Sequence, residues 1–291
     1  MHRNHLPALA LLALATSCGG GVNGASRTVI QNKGSDTLLN VAQAWAEAYS
    51  TVNPECTVAV SGGGSGTGIS AMINGTVDLA NASRKMKERE LAAAGENGVT
   101  PVEFVVGYDA LAVYVHAANP IESITMEQLA GIYGDGGSLV RWSQLGVTIP
   151  NGGSDEIVRV SRQNNSGTFV YFREAVLGRE GKYKLGSLDM HGSKDVVDLV
   201  ENTPGAIGYS GLAYATDHVK LVPVISADSG APVTPSVDTA VDRTYPIARP
   251  LLMYTAGQPE GAVAEYLDWI LSDDGQRIIL AKGYAPVRAL D

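Results

Sequence analysis

The stretch TVAVSGGGSGTGISAMING, residues 57–75, joins a strand-like run to a helix-like pattern through a glycine-rich turn. Residues 57–60 are apolar or β-branched, which is typical of a strand. After the turn, which ends at Ser65, Ile69, Met72 and Ile73 are spaced as on one face of a helix. The stretch therefore predicts a strand, a Ser/Gly/Thr turn and a helix, in that order.

The same order occurs twice more along the chain. TVIQNKGSDTLLNVAQAWAEAY, residues 28–49, has its polar turn at Gly34-Ser35-Asp36-Thr37, and IVRVSRQNNSGTFVYFREAVL, residues 157–177, has it at residues 164–168. Alternating strand-like and helix-like segments predict an α/β fold. In an open α/β sheet these turns lie at the carboxyl ends of the strands, where ligands bind.

Three such turns at one edge of a sheet predict a site for a small anion. Each helix start offers unpaired backbone N–H groups and the positive end of the helix dipole. Ordinary helix capping explains any single turn as well, because Ser, Asp and Thr are usual N-cap residues. Arg162 stands four residues before Ser166 and offers a planar fork that suits a tetrahedral oxyanion, although a solvated arginine is the alternative for this residue alone.

Charge and motif content exclude several function classes. The 291 residues carry a formal net charge of −9, which argues against a nucleic-acid partner. SGGGSGTG lacks the Gly-Lys-Ser/Thr ending of a phosphate-binding P-loop, and no serine stands in a complete G-x-S-x-G frame. No close His/Cys/Asp cluster suggests a metal. We therefore expect no catalytic residue, no cofactor and no metal site.

The N-terminus has the layout of a secretory signal. Basic Arg3 precedes the apolar run LPALALLALA, which is too short to span a bilayer, and small residues follow. Cys18 then ends the stretch ATSC, which resembles a bacterial lipobox. We expect a signal peptide over residues 1–17, lipidation of Cys18 and a flexible tether over residues 18–26. Ordinary cleavage near the same place, without a lipid, is the alternative.

Several stretches resemble the phosphate-binding proteins of bacterial phosphate importers. The most specific are VSRQNNSGTFVYFREAVL and SKDVVDLVENTPGAIGYSGLAYAT, and the resemblance extends over nearly all of the chain after the signal. It implies an α/β, periplasmic-binding-protein (type II-like) fold with a ligand cleft between two lobes. Lobe one would hold residues 27–107 plus 248–291, and lobe two residues 108–247.

The resemblance also implies a function and partners. The protein would capture inorganic phosphate outside the cytoplasm and deliver it to the membrane subunits of the phosphate ABC importer. We expect a monomer that meets the membrane only through its lipid, that has no nucleic-acid partner and that is not an enzyme. Ten residues fall at the family's ligand positions or beside them: Ser35, Asp36, Thr37, Ser65, Ser83, Arg84, Arg162, Ser166, Gly167 and Thr168.

One of these positions departs from the family. Better-studied members carry an aspartate directly after the Ala-Ser of the fourth ligand segment, where this chain has Arg84. A carboxylate can pair with a protonated phosphate oxygen but not with sulfate, because it has no proton to donate. Our hypothesis is that Asp36 takes over this selectivity and that Arg84 adds positive charge. The alternative is that Asp36 caps its helix and pairs with Arg84.

Other functions for the same cleft stay open from the sequence. It could bind sulfate, another tetrahedral oxyanion or an organic phosphate. The chain could also be a secreted phosphatase, or have a sensor or adhesive role at the cell surface.

Overall fold

The structure is a computed structural model that describes residues 27–228 and 230–290. The expected signal peptide, residues 1–17, and the expected lipidated Cys18 with its tether, residues 18–26, lie outside the described residues. Among the helices that are described, none is long and apolar enough to cross a bilayer.

Strands and helices alternate along most of the chain, so the predicted α/β class is confirmed. The strands are β1 (Thr28–Gly34), β2 (Cys56–Ser61), β3 (Leu79–Ala82), β4 (Val102–His116), β5 (Ile124–Thr125), β6 (Val158–Arg162), β7 (Leu188–Met190), β8 (Ala206–Gly211), β9 (Val219–Val222), β10 (Val224–Ile225), β11 (Pro232–Val233) and β12 (Ala248–Thr255). The helices are α1 (Leu39–Val52), α2 (Ser65–Ile73), α3 (Glu88–Glu96), α4 (Met126–Tyr133), α5 (Gly167–Phe172), α6 (Ser193–Glu201), α7 (Val237–Val241), α8 (Gly261–Leu271) and α9 (Asp273–Ala281). Short 3-10 turns cover Trp142–Leu145, Pro150–Gly152 and Leu212–Tyr214, and a π-helical turn, Arg173–Leu177, continues α5.

Within the described residues, nine strands form one sheet in the order β2-β1-β3-β12-β4-β8-β6-β7, with β9 also paired to β4. Strands β1, β2 and β3 are parallel to one another, as are β6, β7 and β8. We call the part built on β1–β3 the first half and the part built on β6–β8 the second half. Antiparallel β4 joins them, because residues 102–110 pair with β12 and residues 111–115 pair with β8.

Each half has its own apolar core. In the first half, Trp45 of α1 is fully buried and its indole N–H donates to the carbonyl of Gly275 at 2.7 Å. In the second half, the ring of Phe172 stacks on that of Tyr209 with centroids 3.7 Å apart. The apolar residues spaced three or four apart at the start and along one face of the first helix are all buried: Leu38, Val41, Trp45 and Tyr49.

A close contact between α2 and β1 fixes where Ser65 stands. A Cβ on Gly68 would lie 2.3 Å from the carbonyl oxygen of Lys33 and 2.6 Å from the Cα of Gly34. Glycine therefore lets the helix approach the backbone at the end of the strand. Because Ser65 begins this helix, the same contact holds its hydroxyl at the edge of the sheet.

We predict that Gly68→Ala lowers the free energy of unfolding by about 1–3 kcal/mol, since helix and strand must separate to admit the methyl group. Gly95→Ala is the matched control, because Gly95 is an exposed helical glycine with nothing within 4 Å of its would-be Cβ. There the better helix propensity of alanine should raise stability by about 0.5–1 kcal/mol. Urea unfolding measures both, and a Gly68→Ala protein as stable as the wild type would contradict the close contact.

Candidate functional site

The residues that the sequence singled out lie after the carboxyl ends of strands in both halves. Because β1, β2 and β3 are parallel, their carboxyl ends share one edge of the sheet. In the second half, Arg162 ends β6, and Ser166 caps the following helix by accepting a bond from the backbone N–H of Thr168 at 3.1 Å. All ten predicted residues are buried, and those of the first half are Ser35, Asp36, Thr37, Ser65, Ser83 and Arg84.

Three serine hydroxyls meet in the first half. Ser35 Oγ donates to Ser83 Oγ at 2.9 Å, and Ser65 Oγ lies 3.4 Å from the same oxygen. The backbone N–H of Ser83 donates to Ser65 Oγ at 3.0 Å. Hydroxyls from segments after three different strands thus form one compact cluster.

Gly167 brings the second half against this cluster. A Cβ on Gly167 would lie 2.2 Å from Ser65 Oγ and 2.5 Å from Ser83 Oγ. Beside it, Thr37 Oγ1 and Thr168 Oγ1 lie 3.0 Å apart. The two threonine hydroxyls belong to different halves, so the cluster spans the boundary between them.

A buried ion pair also crosses from one half to the other. Asp36 Oδ2 accepts a bond from Arg162 Nη2 at 3.2 Å, and the two side chains are 8% and 1% exposed. Asp36 Oδ1 accepts from the backbone N–H of Gly63 at 2.9 Å. Burial lowers the pKa of Arg162, and the carboxylate of Asp36 opposes that shift.

The remaining bonds of Arg162 hold it in place. Nη1 donates to Ser193 Oγ at 2.9 Å, Nη2 donates to the carbonyl of His191 at 2.7 Å, and Nε reaches the carbonyl of Met190 at 3.4 Å. A guanidinium has five N–H bonds. Within residues 27–228 and 230–290, one N–H of Nη1 therefore has no acceptor and can donate to a ligand.

Three hydrogen bonds to backbone carbonyls link turns of the first half to the second half. Asn165 Nδ2 donates to the carbonyl of Gly63 at 2.9 Å, and the carbonyl of Asn165 accepts from the N–H of Gly66 at 3.0 Å. The hydroxyl of Tyr214 donates to the carbonyl of Asp36 at 2.5 Å. These contacts join the glycine-rich turn and the first turn to the second half, which is the arrangement of a closed cleft.

A second buried ion pair was missed by the sequence reasoning. Asp109 of β4 and Arg249 of β12 are register partners, and both side chains are fully buried. Asp109 Oδ2 accepts from Arg249 Nη2 at 2.7 Å and from Nε at 3.0 Å. Burial raises the pKa of Asp109, and the charge and N–H bonds of Arg249 oppose the rise.

Arg249 also contacts the candidate site directly. Its Nη2 donates to Thr37 Oγ1 at 3.2 Å, and its Nη1 donates to Thr168 Oγ1 at 3.1 Å and to the carbonyl of Ser83 at 3.3 Å. A signal was present in the sequence. Asp109 is the sole charge in VVGYDALAVYV and Arg249 the sole charge in IARPLLMY, and two opposite charges in apolar strands are expected to pair.

Arg84 does not pair with Asp36, so that alternative is wrong. Arg84 makes two bonds of 2.7 Å to the carboxylate of Glu90 and a third to the carbonyl of Lys85. Burial alone would raise the pKa of Glu90, but the bonds from Arg84 and from the N–H of Lys87 outweigh it and lower the pKa. The charge of Arg84 is therefore balanced by Glu90, and its role as a ligand stays a prediction.

The site offers neutral donors around balanced charges. Two carboxylates and two guanidinium groups form two ion pairs, and serine and threonine hydroxyls lie between them. Among the residues that the structure describes, no group of three or more His, Cys, Asp or Glu side chains could hold a metal ion. Such an arrangement is suited to an anion that accepts many hydrogen bonds.

Comparisons with known proteins agree with this chemistry. The PBP superfamily domain matches residues 21–274. The chain is 34% identical over 271 residues to the phosphate-binding protein PstS of Pseudomonas aeruginosa, which covers 89% of this chain and 83% of the relative. It is 31% identical over 255 residues to PstS of Bacillus subtilis, which covers 87% of this chain and 79% of the relative.

Solved structures share the fold. A Clostridium perfringens substrate-binding protein assigned to a phosphate ABC transporter, solved with bound phosphate, has a TM-score of 0.79 and 28% identity, covering 90% of this chain and 100% of that one. An ABC-type phosphate transport receptor from Vibrio cholerae has a TM-score of 0.69 and 26% identity, covering 89% and 100%. The expected two-lobed periplasmic-binding-protein fold is therefore confirmed.

We predict that Glu90→Gln lowers the free energy of unfolding at neutral pH by about 1–3 kcal/mol, because it leaves the buried guanidinium of Arg84 without a charged partner. The folded-state pKa of Glu90 lies below the ordinary 4.5. The contribution of Glu90 to the free energy of unfolding is therefore present above the ordinary pKa of 4.5 and is lost as the pH falls through the folded-state pKa.

Urea unfolding of the wild type and Glu90→Gln across this pH range should give stability curves that converge in acid. Exposed Glu88, on the first turn of the same helix, supplies the control Glu88→Gln, which should change stability by less than about 0.5 kcal/mol. A constant gap between the wild-type and Glu90→Gln curves down to strong acid would contradict the assigned pairing.

Proposed function

The chain belongs to the PBP superfamily and, within it, to the family of PstS phosphate-binding proteins, and from this premise we propose that it captures inorganic phosphate and delivers it to an ABC importer. The observation that carries the proposal is the meeting of hydroxyls from two halves around the ion pair of Asp36 and Arg162. A divalent oxyanion leaves water only where many partners replace its hydration.

We propose that nine of the predicted residues form the ligand set. Arg84, the tenth, directly follows Ser83 in the chain and is proposed as a further position beside this set. Hydrogen bonds from neutral hydroxyl and amide groups replace most of the hydration that phosphate loses. The free N–H of Arg162 supplies a charge-assisted bond. The nine are Ser35, Asp36, Thr37, Ser65, Ser83, Arg162, Ser166, Gly167 and Thr168.

Ligand contacts from both halves favour the closed form, because only that form makes all of them. The membrane subunits of the importer would then recognise the closed shape. We place the lobe boundaries at residues 107/108 and 247/248. The antiparallel pairing of β4 with β12 supports this division, because these two strands run between the halves.

The protein acts outside the cytoplasm in this proposal, anchored through the lipid on Cys18, as a monomer and without catalysis. The signal-like N-terminus supports the location. The relatives are named as binding proteins, which supports a role in binding rather than in turnover. A phosphatase that uses the same cleft is the competing function.

Asp36 is proposed to give selectivity for phosphate over sulfate. Its carboxylate accepts one bond from Gly63 and one from Arg162, and a carboxylate has about four acceptor positions. It can therefore also accept the proton of a phosphate P–OH group. Sulfate has no such proton, so its oxygen would face the carboxylate unpaired at a cost of about 1–3 kcal/mol.

We predict that calorimetric titration of the mature protein gives tight, saturable binding of phosphate and binding at least about tenfold weaker for sulfate. A phosphomonoester should bind weakly and should not be hydrolysed in a turnover assay. Binding of sulfate as tight as that of phosphate would reject the assigned ligand. Release of phosphate from the ester, at a rate that follows protein concentration and is lost in Arg162→Ala, would favour the phosphatase.

Asp36→Asn should narrow the ratio of phosphate to sulfate affinity by about tenfold or more, because the amide can donate to sulfate. Asp155→Asn is the control, since Asp155 has a side chain 40% exposed, accepts bonds from Ser143 and lies in the second half outside the cluster. The measurement is paired titration of both anions. An unchanged ratio in Asp36→Asn would reject the selectivity role.

A further inference from the structure

Arg249 uses all of its hydrogen-bonding capacity within the protein. Its two bonds to Asp109, its single bonds to Thr37 and Thr168 and its bond to the carbonyl of Ser83 lie between 2.7 and 3.3 Å. These five bonds account for the five N–H groups of a guanidinium. Arg249 therefore has no donor left for a ligand, in contrast to Arg162.

We propose that Arg249, held by Asp109, is a positioning residue that fixes the direction in which the hydroxyls of Thr37 and Thr168 donate. The inference rests on the proposed function, because it concerns the same anion site. A hydroxyl has one O–H donor and two acceptor positions. When a guanidinium donates to the oxygen, the proton must point away from Arg249. The two hydroxyls lie 3.0 Å apart, so one can donate to the other and the remaining O–H can turn to a ligand.

The charge of the donor adds a second effect. A cationic N–H bonded to a hydroxyl oxygen polarises the O–H bond, so the hydroxyl becomes a stronger donor to an oxyanion. Because Asp109 balances the charge of Arg249, the pair strengthens these donors without adding net charge. Phosphate then receives at least one oriented O–H group at the place where the halves meet.

The place of the pair in the fold explains why it can act on both halves at once. Asp109 and Arg249 face each other on β4 and β12, the strands that join the halves. From there one guanidinium reaches Thr37 and Ser83 on one side and Thr168 on the other. The hydroxyls of Thr37 and Thr168 are therefore both oriented only when the two halves contact Arg249 at the same time.

The test is a double-mutant cycle measured by phosphate titration. Asp109→Asn/Arg249→Gln keeps polar side chains at both positions and removes both buried charges together, so neither charge is left unpaired. It should weaken phosphate binding by about tenfold or more. Thr37→Val should also lower phosphate affinity by about tenfold in the wild type. In the Asp109→Asn/Arg249→Gln background it should lower the affinity by less than about threefold, because the hydroxyl there is no longer oriented.

A matched control uses the exposed pair of Arg141 and Asp155, whose charged atoms are 3.9 Å apart. In the Arg141→Gln/Asp155→Asn background, Thr37→Val should still lower phosphate affinity by about tenfold. If Asp109→Asn/Arg249→Gln does not fold, Arg249→Lys replaces it, because an ammonium has three donors and no planar fork and cannot make the five bonds of the guanidinium.

The outcomes separate this inference from the proposed function. If the wild type binds phosphate but the losses of affinity in the cycle are additive, the positioning role is overturned and phosphate capture still stands. The positioning role would be supported if the loss of phosphate affinity caused by Thr37→Val becomes smaller only in the Asp109→Asn/Arg249→Gln or Arg249→Lys background. Absence of phosphate binding by the wild type would overturn both.

Discussion

Buried charge is the constraint on which the candidate site depends. Asp36, Asp109, Arg162 and Arg249 are all nearly excluded from solvent, and isolated charges in such a place would be costly. They form two ion pairs, so the protein brings no net charge of its own to this point. An incoming phosphate must then be held mainly by hydroxyl and amide dipoles. This solution suits a protein with a formal net charge of −9, in which a strongly positive pocket would oppose the overall field.

The sheet supplies the geometry that such a site needs. Parallel strands in each half direct their carboxyl ends to one place, and glycines let backbones approach closely where the halves meet. Gly167 is the clearest case, because any side chain there would collide with the hydroxyls of Ser65 and Ser83. Bonds from Asn165 and Tyr214 then hold the glycine-rich and first turns against the second half. The fold thus converts local turn chemistry into one enclosed cluster.

Local pattern predicts the strand-turn-helix units and the hydroxyl residues of their turns, because each unit lies within about twenty residues of sequence. Ser83 was indicated only by the resemblance, and helix capping explained any single turn as well until the structure brought the turns together. Long-range pairing was not predictable in the same way. Asp109 and Arg249 are 140 residues apart in the chain and meet only because β12 returns beside β4. Arg84 was expected to add positive charge to the site, but Glu90, which takes a capping position at the start of α3, lies 2.7 Å from Arg84 and balances that charge.

A crystal structure of the mature protein grown with inorganic phosphate would test the shared anion site most directly. We expect one phosphate enclosed between the halves, accepting bonds from the hydroxyls of Thr37, Ser65 and Thr168 and from the guanidinium of Arg162. Arg249 should keep its bonds to Asp109 and both threonines, without touching the anion. Phosphate bound to one half alone, or in the cavity of about 370 Å³ beside Lys85, Tyr171 and Arg243, would rule out an anion site shared by the two halves.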